Sequence, residues 1–138
     1  MNCIPAHARK FTAILLTVCV SGCLSHEGIY LPGCVAFAGD KITLGDGRFH
    51  WEKFTDEVVV DDDGNIVNQF PGYPMYGSYQ TDGQMLHMET ESGDTMPSMY
   101  LHRHDGQHYL LTAEENALWE SSGRYADCTL QINPETGN

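Results

Sequence analysis

Apolar and polar residues alternate from Ile42 to Trp51 and change phase only at Asp46-Gly47. Ile42, Leu44, Phe49 and Trp51 fall on one face of this segment, and Thr43 and His50 on the other. Asp-Gly is a strong hairpin signal because a two-residue type I′ turn needs positive φ at both central positions. The dipeptide recurs at Asp63-Gly64, Asp82-Gly83 and Asp105-Gly106, at spacings of 17, 19 and 23 residues. Each interval leaves room for two strands and a connection, so the pattern predicts an antiparallel meander. A two-residue turn at Asp46-Gly47 pairs Leu44 with Phe49 and Ile42 with Trp51. The same turn at Asp82-Gly83 pairs Tyr79 with Leu86 and Gly77 with Met88, leaving Ser78, Gln80, Met85 and His87 on the second face. The run Val58-Val59-Val60 to Ile66-Val67 does not alternate, and fits either a pair buried on both sides or a protruding ribbon.

One helix is predicted after these hairpins. Thr112-Ala113-Glu114-Glu115 has the form of a capping box, and Gly123 suits a left-handed C-terminal cap. Ala117, Leu118 and Trp119 would supply its apolar patch. About nine residues make a marginal helix in water, so it should dock on the sheet. Tyr125 to Ile132 then returns as a last strand. The expected fold is mainly β: an antiparallel meander forming a small closed or partly open barrel of about eight strands over residues 28–133, with one short C-terminal helix and a tail at 134–138. Closure removes exposed strand edges, and about eight strands leave an interior filled by side chains or able to hold one small ligand.

The amino-terminal stretch has a different character. Arg9 and Lys10 precede an apolar run from Phe11 to Val20, followed by Ser21-Gly22-Cys23. This has the form of a secretory signal peptide, 1–22, and the run covers about 15 Å, too short to remain as a membrane span. Val20-Ser21-Gly22-Cys23 resembles the lipobox of bacterial lipoproteins; an ordinary signal peptide with an incidental cysteine is the alternative. The resemblance implies cleavage before Cys23 and its acylation, with residues 23–27 as a tether reaching at most about 17 Å. Leu24 after the cysteine resembles the pattern sent on to the outer membrane. With Cys3 and Cys19 removed, an acylated Cys23 leaves Cys34 and Cys128 as the expected disulfide in an oxidising compartment.

Charge narrows the partners. The chain carries 19 Asp and Glu against 7 Lys and Arg, a formal charge of -12. Without Arg9 and Lys10, five cations remain against 19 acids, for -14. Nucleic acid and anionic membrane surfaces are therefore excluded as electrostatic partners. The segments Gly28-Ile29-Tyr30, Ile42 to Phe49, Gly77-Ser78-Tyr79 and Leu86-His87-Met88 resemble small lipocalin-like, or calycin-like, bacterial lipoproteins. That resemblance implies a barrel able to hold a small hydrophobic or amphipathic molecule. Phe49, Trp51, Tyr79 and Leu86 would line it, unless they simply fill a core.

The hairpin from Tyr100 to Tyr109 concentrates His102, His104 and His108, and imidazole is the commonest metal ligand. A three-residue loop with Gly106 at a bulge sets His102 across from His108 as a metal pair. A two-residue turn instead sets His108 opposite Arg103, on the other face from His102. Met85, His87, Met88, Met96 and Met99 offer thioether and imidazole groups suited to copper. Asp61-Asp62-Asp63-Gly64-Asn65 only superficially resembles a calcium loop, since Ile66 stands where the turn glycine is needed. No residue pattern assigns a nucleophile and base, so neither catalytic residues nor a cofactor are expected. The expected function is a non-enzymatic, lipid-anchored envelope protein binding a small hydrophobic ligand. The alternatives are an envelope interaction module presenting Tyr73, Tyr76, Met96 and Met99, and a metal binder using His102 and His108.

Overall fold

Among the described residues there are eight strands and one helix; the strands hydrogen-bond in chain order, and the last closes on the first. They are β1 (Gly28–Pro32), β2 (Ala38–Gly45), β3 (Arg48–Thr55), β4 (Met75–Asp82), β5 (Met85–Thr90), β6 (Met99–His104), β7 (Gln107–Leu111) and β8 (Leu130–Ile132), with one helix, α1 (Ala113–Ser122), between β7 and β8. The computed structural model describes residues 26–34 and 38–132. The signal segment 1–22, Cys23 and the tail 134–138 lie outside the described residues.

The Asp46-Gly47 hairpin has the expected geometry, and Asp105-Gly106 takes the two-residue turn, one of the two loops left open for it. Asp46 and Gly47 take φ of 50° and 70°, and Asp105 and Gly106 take 50° and 79°, as type I′ turns require. The first pairs Leu44 with Phe49 and Ile42 with Trp51. The third hairpin of the barrel differs from expectation. Its turn residues are Gly83 and Gln84, so Asp82 pairs with Met85, Thr81 with Leu86 and Tyr79 with Met88. Gly83 supplies positive φ at the first central position, where a type II′ turn needs glycine. The pairing slips by two residues, which preserves parity, so Gly77, Tyr79, Leu86 and Met88 still share the inner face.

The inner face is a packed core. Tyr30, Ile42, Leu44, Phe49, Leu86, Met88, Met99, Leu101, Leu110 and Leu130 form one buried cluster. The valine-rich segment stays outside it: Val60 and Ile66 form an isolated bridge in a ribbon between β3 and β4. The last strand is also shorter than expected. Residues 124–129 form a loop that turns at Ala126–Thr129 before β8 begins.

Helix α1 starts with the expected capping box. The Glu115 amide donates to Thr112 Oγ1 at 3.2 Å, and the Thr112 amide donates to Glu115 Oε2 at 2.8 Å. Gly123 closes it in the left-handed conformation, φ 66°. Of its expected docking patch only Trp119 packs on the barrel, since Ala117 and Leu118 are exposed and the buried residue is Asn116. Asn116 Nδ2 donates to Glu120, which turns Oδ1 toward His102 Nε2 at 2.8 Å. Thr129 Oγ1 donates to Glu115 Oε1 at 2.9 Å. The helix is thus held on the outside of β6 and β7 by polar bonds and by Trp119, which stacks on Tyr125, itself stacked on Tyr109.

Cys34 and Cys128 form a disulfide with their Cα atoms 4.8 Å apart. The Gly33 amide donates to the Thr129 carbonyl at 3.0 Å beside it. The bond therefore ties the exit of β1 to the approach of β8.

Candidate functional site

A meander sends its connections alternately to opposite ends of the barrel. The tight turns 46–47, 83–84 and 105–106 all fall at one end, together with His26 and Glu27. The disulfide, the β3–β4 ribbon, the β5–β6 connection and the start of α1 gather at the other. At this second end a half-open cavity of about 570 Å³ lies between Pro32, Trp51, Pro97, Met99 and Leu130 on the apolar side and Asp40, Thr112 and Glu114 on the polar side.

Strand register builds the polar corner. Asp40 of β2 pairs with Lys53 of β3, and both sit two residues further out than the Ile42–Trp51 pair. Trp51 Nε1 donates to Asp40 Oδ1 at 2.9 Å, and Lys53 forms an ion pair with the same oxygen. Lys53 Nζ also lies 5.0 Å from the Tyr73 ring centroid, with that ring edge-on to Trp51. The indole is therefore held by a hydrogen bond at one edge while its ring forms part of the cavity wall. An apolar body could rest on Trp51, Met99 and Leu130, while a polar end reached Asp40 or the Thr112 hydroxyl.

The four residues expected to line a single site separate along the barrel axis. Trp51 borders the cavity. Phe49 and Leu86 are 2% and 0% exposed and belong to the core, where Phe49 packs over the bare backbone of Gly77. Tyr79 borders a smaller recess of about 160 Å³. Its hydroxyl is pushed above the ordinary tyrosine range by burial and then by the Glu27 carboxylate, which places it toward the tight-turn end. Asp40, Thr112, Pro97 and Leu130 complete the cavity without having been expected there. Only Asp40 has a signal in the sequence, because extending the register from Asp46-Gly47 brings it opposite Lys53.

The metal pair does not form. The two-residue turn at Asp105-Gly106 pairs Arg103 with His108 and His102 with Tyr109, so His102 and His108 lie on opposite faces. His102 donates through Nε2 to Asn116 Oδ1, which leaves no lone pair on that nitrogen for a metal. Met88 and Met99 are core residues and Met96 packs against them, whereas His87 faces outward and contacts Ser98 Oγ at 3.1 Å. The thioethers and the imidazole therefore do not converge. Among the described residues no three His, Cys, Asp or Glu are placed to hold a metal ion. Of the residues expected to be presented to a partner, Met99 is buried and Met96 is half-buried, while Tyr76 is exposed and stacks on His50 at 4.6 Å.

The tight-turn end is closed by His26 and Glu27, just ahead of β1. Tyr30 Oη donates to the His26 carbonyl at 2.8 Å, and the Asp46 amide donates to Glu27 Oε1 at 2.8 Å. The His26 ring sits edge-on to His108, with centroids 5.7 Å apart. Burial, followed by the neighbouring His26 and Arg103, holds His108 below the ordinary histidine value near 6.5. A depressed histidine favours the folded state fully above that ordinary value and loses its contribution as pH falls through the depressed one. His108 is expected to titrate below 6.5 by two-dimensional NMR, with unfolding midpoints falling as pH drops from 7 toward 5. A midpoint at or above 6.5 for His108 would contradict this arrangement.

In comparison with known proteins, no family model, no curated protein and no solved structure matches the chain. The chemistry of the cavity must therefore be taken from its own residues.

Proposed function

We propose that the protein is a non-enzymatic, lipid-anchored protein of the bacterial envelope that holds a small amphipathic molecule at the mouth of its barrel. The observation that carries this reading is the half-open cavity of about 570 Å³ with Trp51 in its wall. Small-molecule sites are concave, mostly apolar, and about 300–1,000 Å³ in volume, with a few polar groups that fix orientation. The packed interior below the cavity leaves the mouth, rather than the lumen, as the place for a ligand. The lipobox-like Val20-Ser21-Gly22-Cys23 and the resemblance to small lipocalin-like lipoproteins support the envelope setting, with Cys23 as the acylated residue and the outer membrane, facing the periplasm, as the location.

Titration with N-phenyl-1-naphthylamine, a neutral probe whose fluorescence rises in apolar surroundings, tests the cavity. Saturable binding is expected, and Trp51→Ala should weaken it roughly tenfold, about 1.4 kcal/mol. A probe that does not bind, or that binds the variant equally well, would remove the ligand reading. The anchor is tested separately. Cys23→Ser should move the protein from the membrane fraction to the soluble one, and retention on membranes would show that Cys23 is not the attachment point.

A further inference from the structure

The segment between β3 and β4 leaves the barrel as a two-stranded ribbon. Val60 pairs with Ile66, the Val67 amide donates to the Val59 carbonyl at 3.0 Å, and the Asp61 amide donates to the Asn65 carbonyl at 2.9 Å. Alternation therefore places Val58, Val60 and Ile66 on one face, where they are 68%, 56% and 78% exposed. Three β-branched aliphatic side chains on one exposed face cost the free protein favourable burial of apolar surface. The ladder also leaves an open edge. Val59 and Asp61 bond inward to the partner strand, so Val58 and Val60 turn their N–H and C=O groups outward.

Charge selects what can cover this surface. Residues 56–69 carry Asp56, Glu57, Asp61, Asp62 and Asp63 and no Lys, Arg or His. A second copy of the ribbon would bring five acids against five. Insertion into a bilayer would lead with the three aspartates at the tip, which are costly to take out of water. At that tip, Asp61 Oδ1 accepts from the amides of Asp63 and Asn65 at 3.0 and 2.8 Å. These bonds, with Asn65 foremost, hold the Asp61 carboxyl below the ordinary aspartate range, so the tip keeps its charge.

We infer that the ribbon Val58–Val67 is a docking edge for an extended basic segment of another protein, added as a third strand along Val58–Val60. Its apolar side chains extend the Val58, Val60 and Ile66 face, and its Lys or Arg residues lie against the flanking carboxylates. A two-stranded ribbon is marginal in water, and a third strand with a shared apolar face stabilises it. The surface is separate from the barrel-mouth cavity and does not depend on it.

The test uses the full chain and three synthetic nine-residue peptides, alternating Val with Lys, Val with Glu, and Ser with Lys, measured by fluorescence anisotropy. The Val/Lys peptide is expected to bind at least tenfold more tightly than either other peptide and to weaken several-fold as salt rises. Hydrogen exchange should show new protection at Val58 and Val60. The triple variant Val58→Ser, Val60→Ser, Ile66→Ser should lose at least tenfold in affinity with an unchanged unfolding midpoint. Asp62→Asn with Asp63→Asn, which leaves the Asp61 bonds in place, should flatten the salt dependence. Equal binding of the three peptides, absence of binding, or full affinity in the triple variant would overturn the proposal. Ribbon-dependent self-association, or ribbon-dependent binding to phosphatidylcholine vesicles, would do the same by naming a different occupant.

Discussion

Replacing Cys34 and Cys128 together by serine is expected to lower folding stability by about 4–5 kcal/mol. The bond joins residues 94 apart in sequence, and in the chain-entropy treatment a loop of that length restricts the unfolded state by about that amount at 25 °C. Few other contacts span the same interval. β1 and β8 share three residue pairs, and β8 itself has only three residues. The loss is therefore a large fraction of the stability of a domain this size. Urea unfolding of the oxidised protein and the double variant measures it. A difference below about 1 kcal/mol would mean that the β1–β8 ladder alone closes the barrel. Cys128 also borders the cavity, so probe binding should weaken in the variant under conditions where it remains folded.

Gly77→Ala should be the most damaging single methyl group added to the barrel. An added Cβ would overlap the carbonyl oxygen of Glu89 and lie 2.6 Å from Phe49 Cε1. The first obstacle is backbone in the next strand, which cannot move away without disturbing the Gly77–Thr90 and Ser78–Glu89 pairs. Overpacking of a buried site costs about 1–3 kcal/mol, and a clash with ladder backbone belongs at or above the upper end. Phe49→Leu in the same chain relieves only the ring contact, so it should recover part of the loss at most. Unfolding midpoints in urea decide this, and an unchanged midpoint for Gly77→Ala would show that β4 and β5 can separate there at little cost.

How much of this structure is legible in the sequence depends on how local its causes are. The hairpin at Asp46-Gly47 is legible because both turn residues and the flanking alternation specify the same geometry, whereas at Asp105-Gly106 the polar residues on both faces leave the loop length open until the strands pair. At Asp82-Gly83 the glycine can serve either turn position, and only pairing with the neighbouring strands decides between them. The helix ends are legible in Thr112, Glu115 and Gly123, but its docking face only in Trp119. Asn116 is buried by hydrogen bonds to His102 and Glu120, a reason that hydrophobic spacing does not carry. Trp51 is legible as a barrel residue at the candidate site. Pro97 and Thr112 reach the same cavity through connections that fold back over one end, which no local pattern encodes, and Leu130 reaches it as the first residue of β8. Phe49 and Leu86 have the right face but lie too deep, because a pattern of alternation gives the side of a strand and not the height along it.

Height along the barrel also governs what surrounds each end. The chain enters at the tight-turn end, where Gly28 pairs with Leu44, and the ribbon leaves after Thr55 at the far end of β3. Eight residues of strand rise about 26 Å, or about 20 Å along the axis of a barrel with the usual strand tilt. For a chain held at Cys23, as proposed, a barrel standing upright on the bilayer would set the ribbon more than two Debye lengths above the lipid headgroups at physiological ionic strength. The aspartates of the ribbon would then be screened from the charge of the bilayer while remaining fully visible to a soluble cation approaching from the aqueous side. The same barrel that fills its own interior would then act as a spacer, setting the acidic ribbon beyond the electrostatic reach of a membrane that held it at Cys23.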